Sequence, residues 1–172
     1  MTYKLLFVCL GNICRSPSAE NIMRYLIEQN NLSDQIICDS AGTCSDHVGE
    51  PPDQRMNSAA MEKLNISLQG CSRQFHSLDF ENFDLILAMD KENYDDILSL
   101  DTTGQYHHKV RLMCEFTSKF TVEEVPDPYY GGSEGFNLVI DLLIDASAGL
   151  LKHIIEEQVL SSFEMVHSFT SS

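Results

Sequence analysis

The sequence has few basic residues, no long apolar segment and no closely spaced pair of cysteines. Eleven Lys and Arg residues stand against 26 Asp and Glu residues, which gives a net charge of -15. So acidic a chain argues against nucleic acid as a partner, because phosphate backbones bind clusters of Lys and Arg. No apolar run approaches the roughly 20 residues of a membrane span, and the N-terminal residues lack the pattern of a secretory signal. We therefore expect a cytoplasmic protein with no membrane attachment.

The cysteine spacing excludes the usual zinc site and gives no disulfide framework. The six residues are Cys9, Cys14, Cys38, Cys44, Cys71 and Cys114, and no two of them form a Cys-x-x-Cys pair. The six histidines also lack the spacing of metal ligands. We therefore expect reduced thiols, no metal and no cofactor. Cys38 and Cys114 fall in apolar runs, which predicts that both are small buried hydrophobic residues.

Strand-like and helix-like segments alternate along the 172 residues. Apolar runs predict four strands, at residues 3–8, 35–41, 83–89 and 109–114. Apolar residues at helical spacing predict helices over residues 17–29, around 56–64, after Asp90 and over 136–155, where Gly149 is expected to cost about 1 kcal/mol relative to alanine. Alternating strands and helices predict one α/β domain with a parallel sheet and right-handed crossovers.

Residues 8–17, with the sequence VCLGNICRSP, connect the first strand to the first helix. Ser16 and Pro17 are suited to the N-cap and N1 positions of that helix. Gly11 and Asn12 can adopt positive φ values, which lets successive backbone N–H groups face one centre. A concave loop closed by a helix N-terminus is expected to bind a phosphate-like anion.

Two side chains give this loop a possible chemistry. Cys9 lies at the strand end, where the loop amides, the helix N-terminus and Arg15 all favour a thiolate, the nucleophilic form of cysteine. Arg15 follows after five residues and can reach back across the loop. Its planar guanidinium can grip two oxygens of a tetrahedral oxyanion, which a lysine cannot do.

A cysteine, five residues, an arginine and a serine together resemble the signature of the low-molecular-weight protein tyrosine phosphatases. The resemblance covers about residues 3–157, so we predict one domain over 1–157 and a C-terminal extension of unknown role over 158–172. It implies a three-layer, flavodoxin-like fold with strand order 2-1-3-4 and helices on both faces. It also implies hydrolysis of phosphotyrosine and other aryl phosphates through a phosphocysteine, with phosphotyrosine proteins as substrates and phosphate or vanadate as ligands.

The resemblance also assigns roles to individual residues. Cys9 is the predicted nucleophile, Arg15 the oxyanion ligand and Asp127, within a Pro-Asp-Pro-Tyr-Tyr segment, the general acid. The loop residues predicted to bind or support the phosphate are Leu10, Gly11, Asn12, Ile13, Cys14 and Ser16. The predicted substrate cleft contains Tyr129 and Tyr130, together with Asp46 and His47 where the family commonly offers an aromatic side chain.

Three further predictions concern Cys14, Asp90 and rival functions. Cys14 can trap Cys9 as a reversible disulfide under peroxide. Asp90 is predicted to act mainly as a helix cap rather than in the active site. The rivals are a thiol-dependent arsenate reductase, which needs further cysteines where this chain has Leu87 to Asp90, and a non-catalytic phosphate-binding module. The sequence carries no signal for an oligomeric state.

Overall fold

The computed structural model describes residues 2–159, with side chains described as far as Glu157. The predicted extension therefore lies mostly outside the described residues, which include only the backbone of residues 158 and 159 from it. The elements, in chain order, are β1 (Tyr3–Cys9), α1 (Arg15–Gln29), β2 (Ile36–Gly42), α2 (Gln54–Leu64), α3 (Asp79–Asn82), β3 (Leu85–Ala88), α4 (Lys91–Leu100), β4 (Val110–Leu112) and α5 (Ser133–Ile154). Short 3₁₀ turns span His107–Lys109 and Met113–Phe116, and a π turn spans Ile155–Val159. Within residues 2–159, no helix combines the length and the apolarity that crossing a membrane requires.

The four strands form one parallel sheet in the order β2-β1-β3-β4, which confirms the predicted 2-1-3-4 arrangement. The central strand β1 is buried on both faces. Leu5 and Phe7 pack in a core with α1, α2 and α5, whereas Leu6 and Val8 pack in a second core with α3 and α4. The predicted three layers, with helices on both faces of the sheet, are therefore confirmed.

The order of the strands determines where a ligand can bind. From β1 the chain continues through α1 to β2 on one side, whereas β3 lies on the other side of β1 and is followed by α4 on the opposite face. The connections after β1 and β3 therefore separate at the carboxyl edge of the sheet. Such a switch point is where open parallel α/β sheets bind their ligands.

The N-terminus of α1 differs from the prediction. The helix begins at Arg15 with Cys14 as its N-cap residue, not at Pro17 after a Ser16 cap. Neither hydroxyl nearby caps the helix: the Ser16 hydroxyl faces the Cys9 sulfur, and the Ser18 hydroxyl donates to the Cys14 carbonyl at 2.6 Å. The predicted cap was wrong because Ser16 makes contacts outside its own helix.

The fourth strand and two cysteines also differ from the prediction. β4 ends at Leu112, because residues 113–116 form a 3₁₀ turn in which the Glu115 carboxylate accepts the Leu112 N–H at 2.9 Å. Cys114 is buried as predicted, but in that turn rather than in a strand. Cys38 lies on the edge strand β2 and is half-buried against the core, so the prediction of a buried hydrophobic residue is met only in part.

Gly149 marks a close contact between α5 and the 3₁₀ turn after β4. A Cβ atom at this position would lie 1.9 Å from the carbonyl oxygen of Phe116, which no real contact allows. The expectation that Gly149 weakens the helix relative to alanine was therefore wrong. Glycine is needed here because helix and backbone approach too closely for any side chain.

We predict that Gly149→Ala destabilises the protein by about 1 to 3 kcal/mol, because the added methyl group must displace backbone. Chemical denaturation of both proteins measures the change in the free energy of unfolding. Gly135→Ala is the matched control in the same helix, because its Cβ would meet only Pro128 Cβ at 3.8 Å. The control is expected to be neutral or to stabilise by up to about 1 kcal/mol. A Gly149→Ala variant as stable as this control would contradict the packing account.

Candidate active site

Hydrogen bonds from neighbouring segments to its carbonyl groups hold the loop between β1 and α1. The carbonyls of Cys9, Leu10 and Ile13 accept the backbone N–H groups of Thr43, Cys44 and Asp53 at 2.9, 3.0 and 2.8 Å. Asn12, within the loop, has a φ of 56°, in the left-handed region. A loop that directs carbonyls outward around a positive φ presents its N–H groups to the concave side. The result is a rigid cup for an anion at the carboxyl edge of the sheet.

The sulfur of Cys9 lies at the base of this cup. The residue is 2% exposed, and its Sγ atom is 3.0 Å from the Ser16 Oγ atom. The Asn12 side chain donates to the same Oγ atom at 2.7 Å, so the single hydroxyl proton of Ser16 remains for another acceptor. The sulfur is nearer than the alternative, the Ala41 carbonyl at 3.4 Å. Ser16 is thus oriented to donate to Cys9.

Asn12 is fixed at both ends of its side chain. Its Nδ2 atom donates to the Ser40 hydroxyl at 2.9 Å, and its Oδ1 atom accepts the Arg73 N–H at 3.0 Å. Ser40 in turn donates to the buried Glu20 carboxylate at 2.6 Å, which pairs with Arg24. These hydrogen bonds hold Asn12 in the conformation with positive φ and offset its strain.

Arg15 is a buried cation held by two other loops. It is 2% exposed, and its Nη1 atom donates to Asp90 Oδ2 at 2.6 Å and to the Val125 carbonyl at 3.1 Å. Burial alone would lower the pKa of this guanidinium, but the Cys9 sulfur and the Asp90 carboxylate outweigh that effect and raise the pKa. Arg15 therefore keeps its charge, and its Nη1 atom is occupied by hydrogen bonds to Asp90 and Val125.

Asp90 has two structural roles, of which the sequence analysis favoured only one. Its Oδ1 atom accepts the Asn93 N–H at 2.7 Å, so the predicted N-cap of α4 is confirmed. Its Oδ2 atom holds Arg15. The sequence contained a signal for this second contact, because Asp90 directly follows the strand that lies beside β1, at the same sheet edge as Cys9.

Asp127 faces the cup from the loop before α5. Its Oδ2 atom is 3.6 Å from Arg15 Nη2, its Oδ1 atom accepts the Tyr129 N–H at 3.1 Å, and its side chain is 41% exposed. The segment is tied to the sheet by a hydrogen bond of 2.8 Å from the Val125 N–H to the Met89 carbonyl. Asp127 is thus positioned on the rim, between solvent and the guanidinium.

The far end of this segment is held by Arg55, which sequence reasoning missed. Its Nη1 atom donates to the Tyr129 carbonyl at 3.1 Å, and its guanidinium lies 5.3 Å from the centre of the Tyr129 ring. Arg55 is itself oriented by Asp53, the N-cap of α2, at 2.8 Å. Both ends of the Asp127 loop are therefore anchored to neighbouring elements.

One cleft brings the predicted residues together. It is lined by Cys9, Leu10, Gly11, Ile13, Cys14, Arg15, Cys44, Asp46, His47, Asp127, Tyr129 and Tyr130. Asn12 and Ser16 are absent from the lining because they are buried and support the loop. Cys44 was not predicted. Its N–H donates to the Leu10 carbonyl, and this contact depends on the path of the chain after β2, which the sequence pattern does not give.

Three of the residues that line the cleft carry aromatic rings. The His47 ring lies against the loop, since a Cβ atom on Gly11 would come within 2.9 Å of it, and its centre is 5.9 Å from that of Tyr129. Tyr130 packs edge-on against Tyr129 and is 95% exposed. His47 thus supplies a ring on the side where Asp46 offers none.

Cys14 lines the cleft as an uncharged thiol. Burial, followed by the negative charge of Asp53, raises its pKa to about 12. The thiolate is the reactive form, so a raised pKa keeps Cys14 almost fully protonated at neutral pH and makes it react slowly there. Burial likewise raises the pKa of Cys38 to about 12 and that of Cys114 to about 11, whereas Cys71 is exposed.

We predict that brief treatment with iodoacetamide near pH 7.5 modifies Cys71 well before Cys14, Cys38 or Cys114. The physical reason is that the last three combine burial with a neutral thiol, whose thiolate fraction increases only as the pH approaches 11 to 12. Mass spectrometry of peptides at increasing reaction times measures the order. Modification of Cys14 as fast as that of Cys71 would contradict the description of its surroundings.

The sequence and the fold of this chain are similar to those of known proteins. A family model described as low molecular weight phosphotyrosine protein phosphatase matches residues 4–160. A Synechocystis relative with the same family designation is 58% identical over 156 residues, which cover 91% of this chain and 99% of its own length. The low molecular weight protein-tyrosine-phosphatase YfkJ of Bacillus subtilis is 38% identical over 157 residues, which cover 91% and 98% of the two chains.

Solved structures show the same likeness. The protein tyrosine phosphatase of Entamoeba histolytica, crystallised with Hepes in its active site, superposes with a TM-score of 0.87 at 46% identity, covering 90% of this chain and 98% of its own. The YfkJ crystal structure gives a TM-score of 0.81 at 34% identity, with 92% and 98% coverage.

Proposed function

The chain belongs to the low molecular weight phosphotyrosine protein phosphatase family, and from this premise we propose that it hydrolyses phosphotyrosine in proteins, with Cys9, Arg15 and Asp127 as its catalytic residues. The single observation that supports these roles is their arrangement around one cup. The Cys9 sulfur lies at its base, the Arg15 guanidinium on its wall and the Asp127 carboxyl on its rim.

The first step is attack by the Cys9 thiolate on phosphorus, in line with the departing phenolic oxygen. The equatorial phosphoryl oxygens carry the negative charge of the transition state and need fixed positive partners. The N–H groups of residues 10–14 and the Arg15 guanidinium supply them. Since Asp90 and Val125 occupy Nη1 of Arg15, the Nε and Nη2 edge is the one that grips two oxygens.

Asp127 protonates the leaving oxygen in this step. A tyrosine phenol has a pKa near 10, so leaving without a proton is slow. Positioned proton donation is typically worth on the order of 10² to 10⁴ in rate. The 3.6 Å contact between Asp127 and Arg15 supports this role, because an oxyanion held by Arg15 lies within reach of the acid, and the exposed part of the Asp127 side chain is accessible to a leaving group.

Hydrolysis of the phosphocysteine completes the cycle. Asp127, now ionised, accepts a proton from the attacking water, and phosphate leaves as the Cys9 thiolate returns. The Ser16 hydroxyl, 3.0 Å from the sulfur, stabilises that returning charge, and Asn12 holds Ser16 in place. No step calls for a metal or a cofactor.

The cleft walls supply selectivity for an aryl group. Tyr129, Tyr130 and His47 offer ring faces to a phosphotyrosine side chain, and Asp46 lies beside them. We place the protein in the cytoplasm, where reducing conditions keep a nucleophilic thiol active. We further propose that residues 1–157 form the phosphatase domain and that residues 158–172 are an extension.

The test of this function is turnover of p-nitrophenyl phosphate and of a phosphotyrosine peptide, with inhibition by vanadate. The two rivals predict different outcomes. Reduction of arsenate by thioredoxin without phosphatase turnover would indicate a reductase, and phosphate binding without turnover would indicate a binding module.

We predict that Cys9→Ser abolishes turnover and that Arg15→Ala lowers kcat by roughly 10³-fold. The first change removes the nucleophile, and the second removes the positive charge opposite the equatorial oxygens. Arg111→Ala, which deletes an arginine of the edge strand β4 that pairs with Glu115 and does not line the cleft, is the control and keeps most of the activity. Turnover in Cys9→Ser near the wild-type rate would overturn the phosphocysteine route.

We predict that Asp127→Ala slows phosphotyrosine hydrolysis by roughly 10² to 10⁴ but affects substrates with acidic leaving groups much less. Steady-state kinetics on a series of aryl phosphates measures this as a steeper dependence of kcat on leaving-group pKa. Asp127→Asn, which keeps the shape but not the proton, should behave alike. An Asp127→Ala enzyme as fast as wild type on phosphotyrosine would remove the general-acid assignment.

We propose that peroxide closes a reversible disulfide between Cys9 and Cys14. Peroxide oxidises the Cys9 thiolate to a sulfenic acid, and the Cys14 sulfur then displaces water to form the S–S bond. We predict that dithiothreitol restores activity to peroxide-treated wild type but to much less of the Cys14→Ser enzyme. Because the pKa of Cys14 is raised to about 12, ring closure should accelerate with increasing pH. Equal recovery of both enzymes would contradict this role.

A further inference from the structure

The charged groups of the cleft are paired, with one exception. Arg15 contacts Asp90 and Asp127, and the His47 ring pairs with Glu50 at 2.7 Å. Arg55, next to the cleft, pairs with Asp53. No interaction joins the Asp46 carboxylate to any other residue of the part of the chain that the structure describes.

Asp46 is held at the rim by an ordered turn. The Val48 N–H bonds the Ser45 carbonyl at 3.3 Å, the Glu50 N–H bonds the His47 carbonyl at 2.9 Å, and the Gly49 N–H bonds the Ser72 carbonyl at 2.8 Å. His47 is packed against the loop, whereas Asp46 beside it is exposed. The backbone that carries the Asp46 carboxylate is therefore ordered at the mouth of the cleft, and an ion pair with it costs little backbone entropy.

Tyr130 lines the same cleft and also favours a cation. The residue is 95% exposed, so most of its ring is open to solvent, and aromatic faces attract Lys and Arg. A peptide whose phosphotyrosine enters the cleft brings its neighbouring residues close to Asp46 and Tyr130. Neighbouring peptide residues follow at about 3.3 to 3.6 Å each, so side chains one or two positions away are within reach of both.

We propose that Asp46 is a specificity determinant that selects phosphotyrosine sites with Lys or Arg within two residues of the phosphotyrosine. This inference rests on the proposed phosphatase function and deepens it. The carboxylate attracts a basic neighbour and repels an acidic one, and it does so locally, in addition to the general effect of a net charge of -15.

The experiment compares kcat/KM for phosphopeptides that have a central phosphotyrosine and two flanking residues on each side. All flanking residues are alanine except one, which is either Lys or Glu, and each of the four positions is tested in turn. Wild type is expected to favour Lys over Glu by roughly fivefold or more at the best position, in low salt, since exposed ion pairs are worth up to about 1 kcal/mol. In Asp46→Asn this ratio should fall to within about twofold of unity, and in Asp46→Lys it should reverse. The preference should also shrink in 0.5 M NaCl.

Asp34→Asn is the matched control. Asp34 is exposed and precedes β2, at the end of that strand away from Gly42 and the cleft, so the variant changes net charge equally without altering the rim. It should retain the wild-type ratio. A ratio that is unchanged in Asp46→Asn, or that falls equally in Asp34→Asn, would overturn the inference.

The two proposals fail in different ways. Absence of turnover on p-nitrophenyl phosphate by wild type would refute the proposed function. If wild type and Asp46→Asn both turn over every peptide and have the same Lys-to-Glu ratio of kcat/KM, the proposed function stands and only the specificity role of Asp46 is refuted.

Discussion

The active site depends on one buried cation. Arg15 is almost fully enclosed, and an enclosed guanidinium is tolerated only when its donors are satisfied. The Asp90 carboxylate at 2.6 Å and the Val125 carbonyl at 3.1 Å satisfy one edge. Because these partners follow β3 and precede Asp127, the same cation joins the loop after β1 to the loops that complete the cleft.

The two edges of the Arg15 guanidinium have different partners. One edge of the guanidinium is fixed by the protein, whereas the other faces the cup between Cys9 and Asp127. The phosphate loop is rigid for a different reason: Asn12 and Ser16 connect its floor to β2 and to the buried Glu20. Binding an oxyanion therefore requires little rearrangement, which is the condition for strong electrostatic stabilisation of a transition state.

Local sequence patterns predicted the alternation of strands and helices and a loop suited to an anion that carries Cys9 and Arg15. The strand order and the role of Asp127 came instead from the resemblance to the phosphatase family, which rests on the residues of that loop and on the Pro-Asp-Pro-Tyr-Tyr segment. The contacts that were missed join residues far apart in the chain. The Asp90 contact to Arg15, the Arg55 contact to Tyr129 and the close approach at Gly149 depend on tertiary geometry, which periodicity does not encode. The Ser16 cap failed for the same reason, because its hydroxyl has a better partner outside the helix.

We expect a bound oxyanion to lie in line between Cys9 and Asp127, with Arg15 gripping it from the side. A crystal structure with orthovanadate shows this arrangement or refutes it. Vanadium should be bonded to the Cys9 sulfur at one apex, with two equatorial oxygens on the Nε and Nη2 atoms of Arg15 and the Asp127 carboxyl within hydrogen-bond distance of the opposite apical oxygen. Vanadate bound elsewhere, or in the cup with Asp127 beyond reach of that oxygen, would contradict it.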